Sequence, residues 1–124
     1  PTRRSSDLNA LKKKIMGIKT DSTPVESPKS IENSSILGLY KLVASESDCQ
    51  TMEGEFLRGG TGYGDFKKRL FGAVWDYFAP FRIRREEILQ DPAYVDRVLA
   101  EGAEKARGVS DGVMHRVRAA VGLG

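Results

Sequence analysis

Apolar residues recur along most of this chain at intervals of three and four, the spacing of helices that bury one face. Over residues 7–19, Leu8, Leu11, Ile15 and Ile18 keep that rhythm, and Ser6 or Asp7 stands where it can accept from the free N–H groups of a first turn. The rhythm then stops. Residues 20–35 hold Pro24, Pro28, five serines and two threonines with few apolar anchors, which predicts an extended linker or ordered loop. At about 16 residues it is long for a connection inside a compact domain, so it is expected to run over another surface or to carry function.

Helical periodicity resumes at residue 36 and continues to the end. Ile36 to Val43 reads as a short apolar helix. Ser45 is a natural N-cap for a helix over 46–58, with Met52, Phe56 and Leu57 as a narrow stripe. The run Gly59-Gly60-Thr61-Gly62-Tyr63-Gly64 ends it, and Asp65 restarts a helix with Phe66, Leu70, Ala73, Val74, Tyr77 and Phe78 on one side. Pro80 either kinks that helix or opens a new one from its first turn. Asp91-Pro92 is a strong start signal, an N-cap followed by proline at the first helical position. Beyond it Val95, Val98, Gly102, Ala106, Val109, Val113 and Val117 take six steps over 22 positions, close to the α-helical period of roughly 3.6. Unbroken from 92 to 121, this helix would be roughly 45 Å long, with small Gly102 and Ala106 admitting a close neighbour and Gly122 as its stop. No segment alternates convincingly enough to be a strand. The expected fold is all-α: a helical bundle with an extended N-terminal linker and a long C-terminal helix.

Composition narrows the class without naming a function. The chain has 124 residues, 40% of them apolar and 30% charged, enough for one domain with a core. No apolar run approaches the ~20 residues of a membrane span. The opening Pro1-Thr2-Arg3-Arg4-Ser5-Ser6-Asp7 has no apolar stretch behind it, so no signal peptide is expected, and the missing initiator Met suggests a cut end or a remnant of cloning. Cys49 is the single cysteine, which fits a reducing, cytoplasmic setting. Twenty basic against 17 acidic residues leave a net charge of +3, which permits contact with nucleic acid without demanding it.

Catalytic chemistry finds little support. The glycine run lacks the preceding strand and G-x-G-x-x-G spacing of a dinucleotide fingerprint, and the Gly-Lys-Ser/Thr of a P-loop; its simpler role is to close one helix and open the next, with phosphate contact at the new helix start a lesser alternative. His115 is the only histidine, so no histidine-based metal cluster or catalytic pair can form within the chain. Cys49 reads as a structural or incidental thiol. The expected catalytic and metal-ligating residues are therefore none. The basic clusters say more: Lys12, Lys13 and Lys14; Lys67 and Lys68 beside Arg69; and Arg82, Arg84 and Arg85, with Tyr63, Trp75, Tyr77 and Phe81 interleaved. Cations neutralise phosphates, and aromatic or guanidinium planes stack on unpaired bases. The competing reading is a set of solvated helix faces over aromatic core residues.

Several segments together resemble one family. Leu11-Lys12-Lys13-Lys14-Ile15-Met16-Gly17-Ile18-Lys19-Thr20-Asp21-Ser22 is similar to the stretch after the signature loop of bacterial-type tryptophanyl-tRNA synthetases. Val25-Glu26-Ser27-Pro28, Leu39-Tyr40-Lys41-Leu42, Gly62-Tyr63-Gly64-Asp65-Phe66-Lys67-Lys68 and Ala79-Pro80-Phe81-Arg82-x-Arg84-Arg85 follow in the same order. So does the ending, from Tyr94-Val95 through Gly102-Ala103-Glu104-Lys105-Ala106-Arg107 to Val121-Gly122-Leu123. The likeness covers roughly residues 8–124.

The resemblance implies a class I aminoacyl-tRNA synthetase that joins tryptophan to tRNA(Trp) through an adenylate made from ATP, with Mg, on a Rossmann-type domain carrying HIGH-like and KMSKS-like signatures. Neither signature occurs here, and Arg3-Arg4-Ser5-Ser6 does not reproduce the second. By resemblance, then, residues 1–35 are the helix and linker that follow the missing loop and catalytic domain. Residues 36–124 are the α-helical tRNA- and anticodon-binding bundle. The segment alone is expected to be inactive and to hold no cofactor. Its partners are tRNA(Trp) and the catalytic domain of the same enzyme, with a homodimer in the full-length form, no membrane and no DNA. Lys12, Lys13, Lys14, Lys67, Lys68, Arg82, Arg84 and Arg85 are the expected tRNA-binding residues. The alternative is a helical module that braces the catalytic domain and touches RNA only non-specifically.

Overall fold

The computed structural model describes residues 3–124, with side chains from Ser6 onward; Pro1 and Thr2, the first residues of the stretch expected to leave the signature loop, lie outside the described residues. Six helices follow one another: α1 (Arg3–Met16), α2 (Ser35–Val43), α3 (Glu46–Arg58), α4 (Tyr63–Tyr77), α5 (Ala79–Leu89) and α6 (Pro92–Ala120). Among the described residues there is no strand, so the class is all-α as expected.

The caps explain the boundaries. Ser34 Oγ accepts from the Leu37 amide at 3.3 Å and starts α2 one residue ahead of the expected Ile36. Ser45 Oγ accepts from the Asp48 amide at 3.2 Å and donates to the Asp48 carboxylate at 2.6 Å, a reciprocal lock on the first turn of α3. Asp91 Oδ1 accepts from the Tyr94 amide at 3.0 Å, with Pro92 opening α6. At the other end of α6 the Leu123 amide donates to Arg118 O at 2.8 Å around a left-handed Gly122, a Schellman closure. Pro80 sits in the first turn of α5, so the chain restarts there instead of kinking.

Two starts differ from expectation. Helix α1 begins at Arg3, which places Ser6 and Asp7 inside the helix and not at its cap; nothing in Arg3–Asp7 breaks a helix, and polar residues are well tolerated in a first turn. Helix α4 begins at Tyr63, two residues before Asp65, because the extended backbone of Gly62 already serves as its N-cap. Asp65 then lies in the first turn, where its charge complements the helix dipole.

The chain divides into two compact units, Pro1–Pro80 and Phe81–Gly124. The 35/36 boundary read from the sequence falls inside the first unit, where α1 and α2 pack on α4 and α2 packs on α3. Its core is Ile15, Ile36, Leu37, Met52, Phe56, Phe66 and Leu70, flanked by Leu11, Ile18, Tyr40, Tyr63, Phe71 and Val74. The Phe56 and Phe66 rings meet at 4.2 Å. Leu57, expected on the α3 stripe, points outward and is 55% exposed. In the second unit neither α5 nor α6 buries a described side chain; the regular seam from Val95 to Val117 is open to solvent, with Val109 72% exposed.

Candidate nucleic-acid interface

The linker between α1 and α2 is ordered by contacts with α3 and α4. The Lys29 amide donates to Phe56 O at 2.7 Å and the Gly60 amide to Val25 O at 2.9 Å, pinning residues 25–29 over the end of α3. Gly59, with φ of 76°, lies so close beneath this strap that a Cβ there would stand 2.4 Å from Glu26 O. Lys29 itself is buried, 2% exposed. Its ammonium donates to Pro24 O, Val25 O and Ser27 O at 3.2–3.3 Å and lies 5.4 Å from the centre of the Tyr63 ring. The Tyr63 hydroxyl donates to Asp21 Oδ1 at 2.9 Å, and the Thr23 amide donates to the same oxygen at 3.0 Å. Hydrogen bonding by the Thr23 side chain first, then by the Thr23 amide and the Tyr63 hydroxyl, holds the Asp21 carboxyl below the usual carboxylate range. Burial, followed by the neighbouring Asp21, pushes the Tyr63 phenol up.

The basic residues read from the sequence separate into groups with different surroundings. Lys12, Lys13 and Lys14 are exposed on the second half of α1, with Lys13 and Lys14 in its last turn, where cations suit the carbonyl end of the helix dipole. Lys67 reaches the same place from α4: its ammonium donates to Ile18 O at 2.6 Å and Met16 O at 3.1 Å. Lys68 is solvent-facing and forms a loose 3.8 Å pair with Asp65. Thus the 12–14 cluster and Lys67 converge on the C-terminal end of α1, and Lys68 does not. Arg82, Arg84 and Arg85 belong to the second unit; Arg84 pairs with Glu87 at 3.0 Å and lies 5.8 Å from the Tyr94 ring centre.

Two cations have roles that cluster-hunting along the sequence misses. Arg69 pairs with Glu55 at 2.7 Å and covers the Phe66 ring, tying α4 to α3. Lys29 stands alone in sequence, and only its burial distinguishes it. Cys49 is buried, in keeping with a structural thiol, and His115 is exposed on α6. The glycine run acts as helix punctuation: the Gly59 and Gly60 amides already donate to Glu55 O and Val25 O. No group of three or more metal-ligating side chains occurs among the described residues. No described helix is long and apolar enough to cross a membrane.

No family model matches the chain. Curated relatives do. A tryptophan–tRNA ligase of Rhodopirellula baltica is 40% identical over 117 residues, and one of Campylobacter jejuni is 37% identical over 118. These alignments take in 94% and 95% of this chain. The crystal structure of Campylobacter jejuni tryptophanyl-tRNA synthetase complexed with ADP and tryptophan superposes on 94% of the chain with a TM-score of 0.80 at 37% identity. The chain is homologous to part of the tryptophan–tRNA ligases. It spans about 37% of the length of these two curated ligases and 36% of the solved synthetase. The segments that carried the resemblance, above all residues 11–22 and 62–68, lie against each other in the fold through Asp21–Tyr63 and Ile18–Lys67.

Proposed function

We propose that this chain is the C-terminal helical part of a tryptophan–tRNA ligase and contributes tRNA contacts to it. The collinear likeness over 94% of the chain to a ligase 40% identical carries this reading. In it, Lys12, Lys13, Lys14 and Lys68 offer phosphate contacts from the first unit, and Arg82, Arg84 and Arg85 offer more from the second. Tryptophan is joined to tRNA(Trp) at the expense of ATP on a catalytic domain outside these residues, in the cytoplasm and within a homodimer. No step with ATP or Mg is assigned to side chains of this chain.

One observation favours a bracing role alongside. The valine seam of α6 has the period of a buried helix face, yet none of it is buried within these residues. The catalytic domain is its occupant in this reading.

Titration of the chain with tRNA(Trp) and with an anticodon-swapped copy, at two salt concentrations, tests the proposal. Tighter binding to the correct anticodon places recognition here. Equal binding that weakens steeply with salt reduces the role to phosphate attraction, and no binding leaves only the brace.

A further inference from the structure

The basic cluster of α4 divides by geometry. Lys68 faces solvent, whereas the Lys67 ammonium is already bonded to two main-chain carbonyls at the end of α1, Ile18 O at 2.6 Å and Met16 O at 3.1 Å. Met16 is the last residue of α1, whose final carbonyls lack intrahelical donors, and Ile18 lies two residues beyond it. One turn earlier on α4, and therefore on the same face, Tyr63 donates its hydroxyl to Asp21 at the start of the linker. The ring of Tyr63 also carries Lys29 over one face and meets Phe56 edge-on at 6.1 Å. Phe66, between them in sequence, is fully buried against Phe56 and anchors this stretch of α4 to the core.

We infer that Tyr63 and Lys67 are positioning residues, a two-point latch by which α4 fixes the C-terminal end of α1 and the entry to the linker. Lys67 sets where α1 stops; Tyr63, through Asp21, sets the direction in which the chain leaves. Because α1 also packs along α4 through the core around Ile15 and Leu70, the latch removes the remaining freedom of α1 to slide or fray at that end. The consequence for the ligase rests on the reading proposed above: α1 follows the signature loop, so its end is held by the helix that also presents Lys68 to RNA. Lys67 then acts on the reaction through α1, and Lys68 through tRNA affinity.

Amide hydrogen exchange on this chain tests the latch directly. Lys67→Met and Tyr63→Phe should speed exchange at Gly17, Ile18 and Thr23, whose amides bond to Lys13 O, Ile15 O and Asp21 Oδ1, by tenfold or more. Amides in the middle of α3 should be unaffected, and Lys68→Met should change none of them. Exchange in Lys67→Met equal to that of the unaltered chain overturns the latch. Should Lys67→Met fail to fold, Tyr63→Phe, which removes one hydroxyl, and Lys67→Arg, which keeps a donor for the carbonyls, carry the same test. In tRNA titrations over a salt series, Lys68→Met should reduce the log–log slope by about one phosphate equivalent and Lys67→Met should leave it unchanged. A reduced slope for Lys67→Met with normal exchange would make Lys67 an RNA contact and overturn the assignment. A flat response in both variants would defeat the tRNA reading, with exchange still deciding the latch. In the complete ligase that carries this segment, Lys67→Met should lower kcat per active site, counted by active-site titration so that unfolded enzyme is left out, with the tRNA KM unchanged; a raised KM with normal kcat would refute it.

Discussion

Replacing Lys29 by Met keeps the length and apolar stem of the side chain and removes only its charge and donors. The ammonium is enclosed by Pro24 O, Val25 O, Ser27 O and the Tyr63 ring. Hydrogen bonds to a charged group contribute about 1.5–3 kcal/mol each, and distances of 3.2–3.3 Å put these at the low end. Two of the three carbonyls keep another donor after the change, since Pro24 O also accepts from the Ser27 amide and Val25 O from the Gly60 amide. Ser27 O loses its cationic donor. Loss of the cation–π contact removes roughly 0.5–2 kcal/mol more, while relief of the buried charge returns part of the total. The net expectation is a loss of about 2–3 kcal/mol. The strap's own backbone bonds, Lys29 amide to Phe56 O and Gly60 amide to Val25 O, do not involve the altered atoms. Urea unfolding followed by far-UV circular dichroism measures the change; with a slope of about 1 kcal/mol/M for a unit of this size, the midpoint should fall by about 2–3 M. A change under about 0.5 kcal/mol, or a gain, would mean that desolvation of the ammonium cancels its bonds and would refute the reasoning.

Other expectations follow from the same contacts. Gly59→Ala should destabilise the chain by about 2–4 kcal/mol, since a left-handed residue gains a Cβ that collides with the Glu26 carbonyl; thermal melting reads this, and an unchanged midpoint would show that the strap can move aside. Asp21 has a depressed pKa in the fold, so its contribution is complete above the unfolded carboxylate value of about 3.9 and is lost as pH falls through the lower folded value. Exchange at Thr23 should therefore rise at acid pH beyond the intrinsic rate, and Asp21→Asn should abolish that limb. Leu70→Ala should lose about 2–5 kcal/mol from a fully buried site. Val109→Ala, on the open seam of α6 and 72% exposed, should stay within about 0.5 kcal/mol of the unaltered chain by urea unfolding, because little packing is lost and alanine favours the helix.

Much of the fold is legible along the chain because helix signals are local. Ser45, Asp91, Pro92 and Gly122 each act on amides or carbonyls within a few residues, and each does what its type and position imply. Ser6 and Asp7 show the limit of that reasoning: a capping residue marks a start only if the helix does not continue through it. The candidate interface was legible as charge and not as geometry. Lys67 and Lys68 are adjacent and chemically identical, but successive helix positions point about 100° apart, so one caps α1 and the other meets solvent.

By itself, the order of residues determined the all-α class, the ends of α3 and α6, the break at Pro80 and the likeness to tryptophan–tRNA ligases, because each depends on local hydrogen bonding or on collinear motifs. Only the tertiary structure decided that Lys29 is buried beneath a strap, that Gly59 must lack a Cβ, that Lys67 holds the end of α1, and that α5 leaves the seam of α6 uncovered within the second unit. The physical reason is the same throughout. Whether a cation is solvated, or an apolar face is covered, depends on what distant segments bring to it, and periodicity carries no record of that.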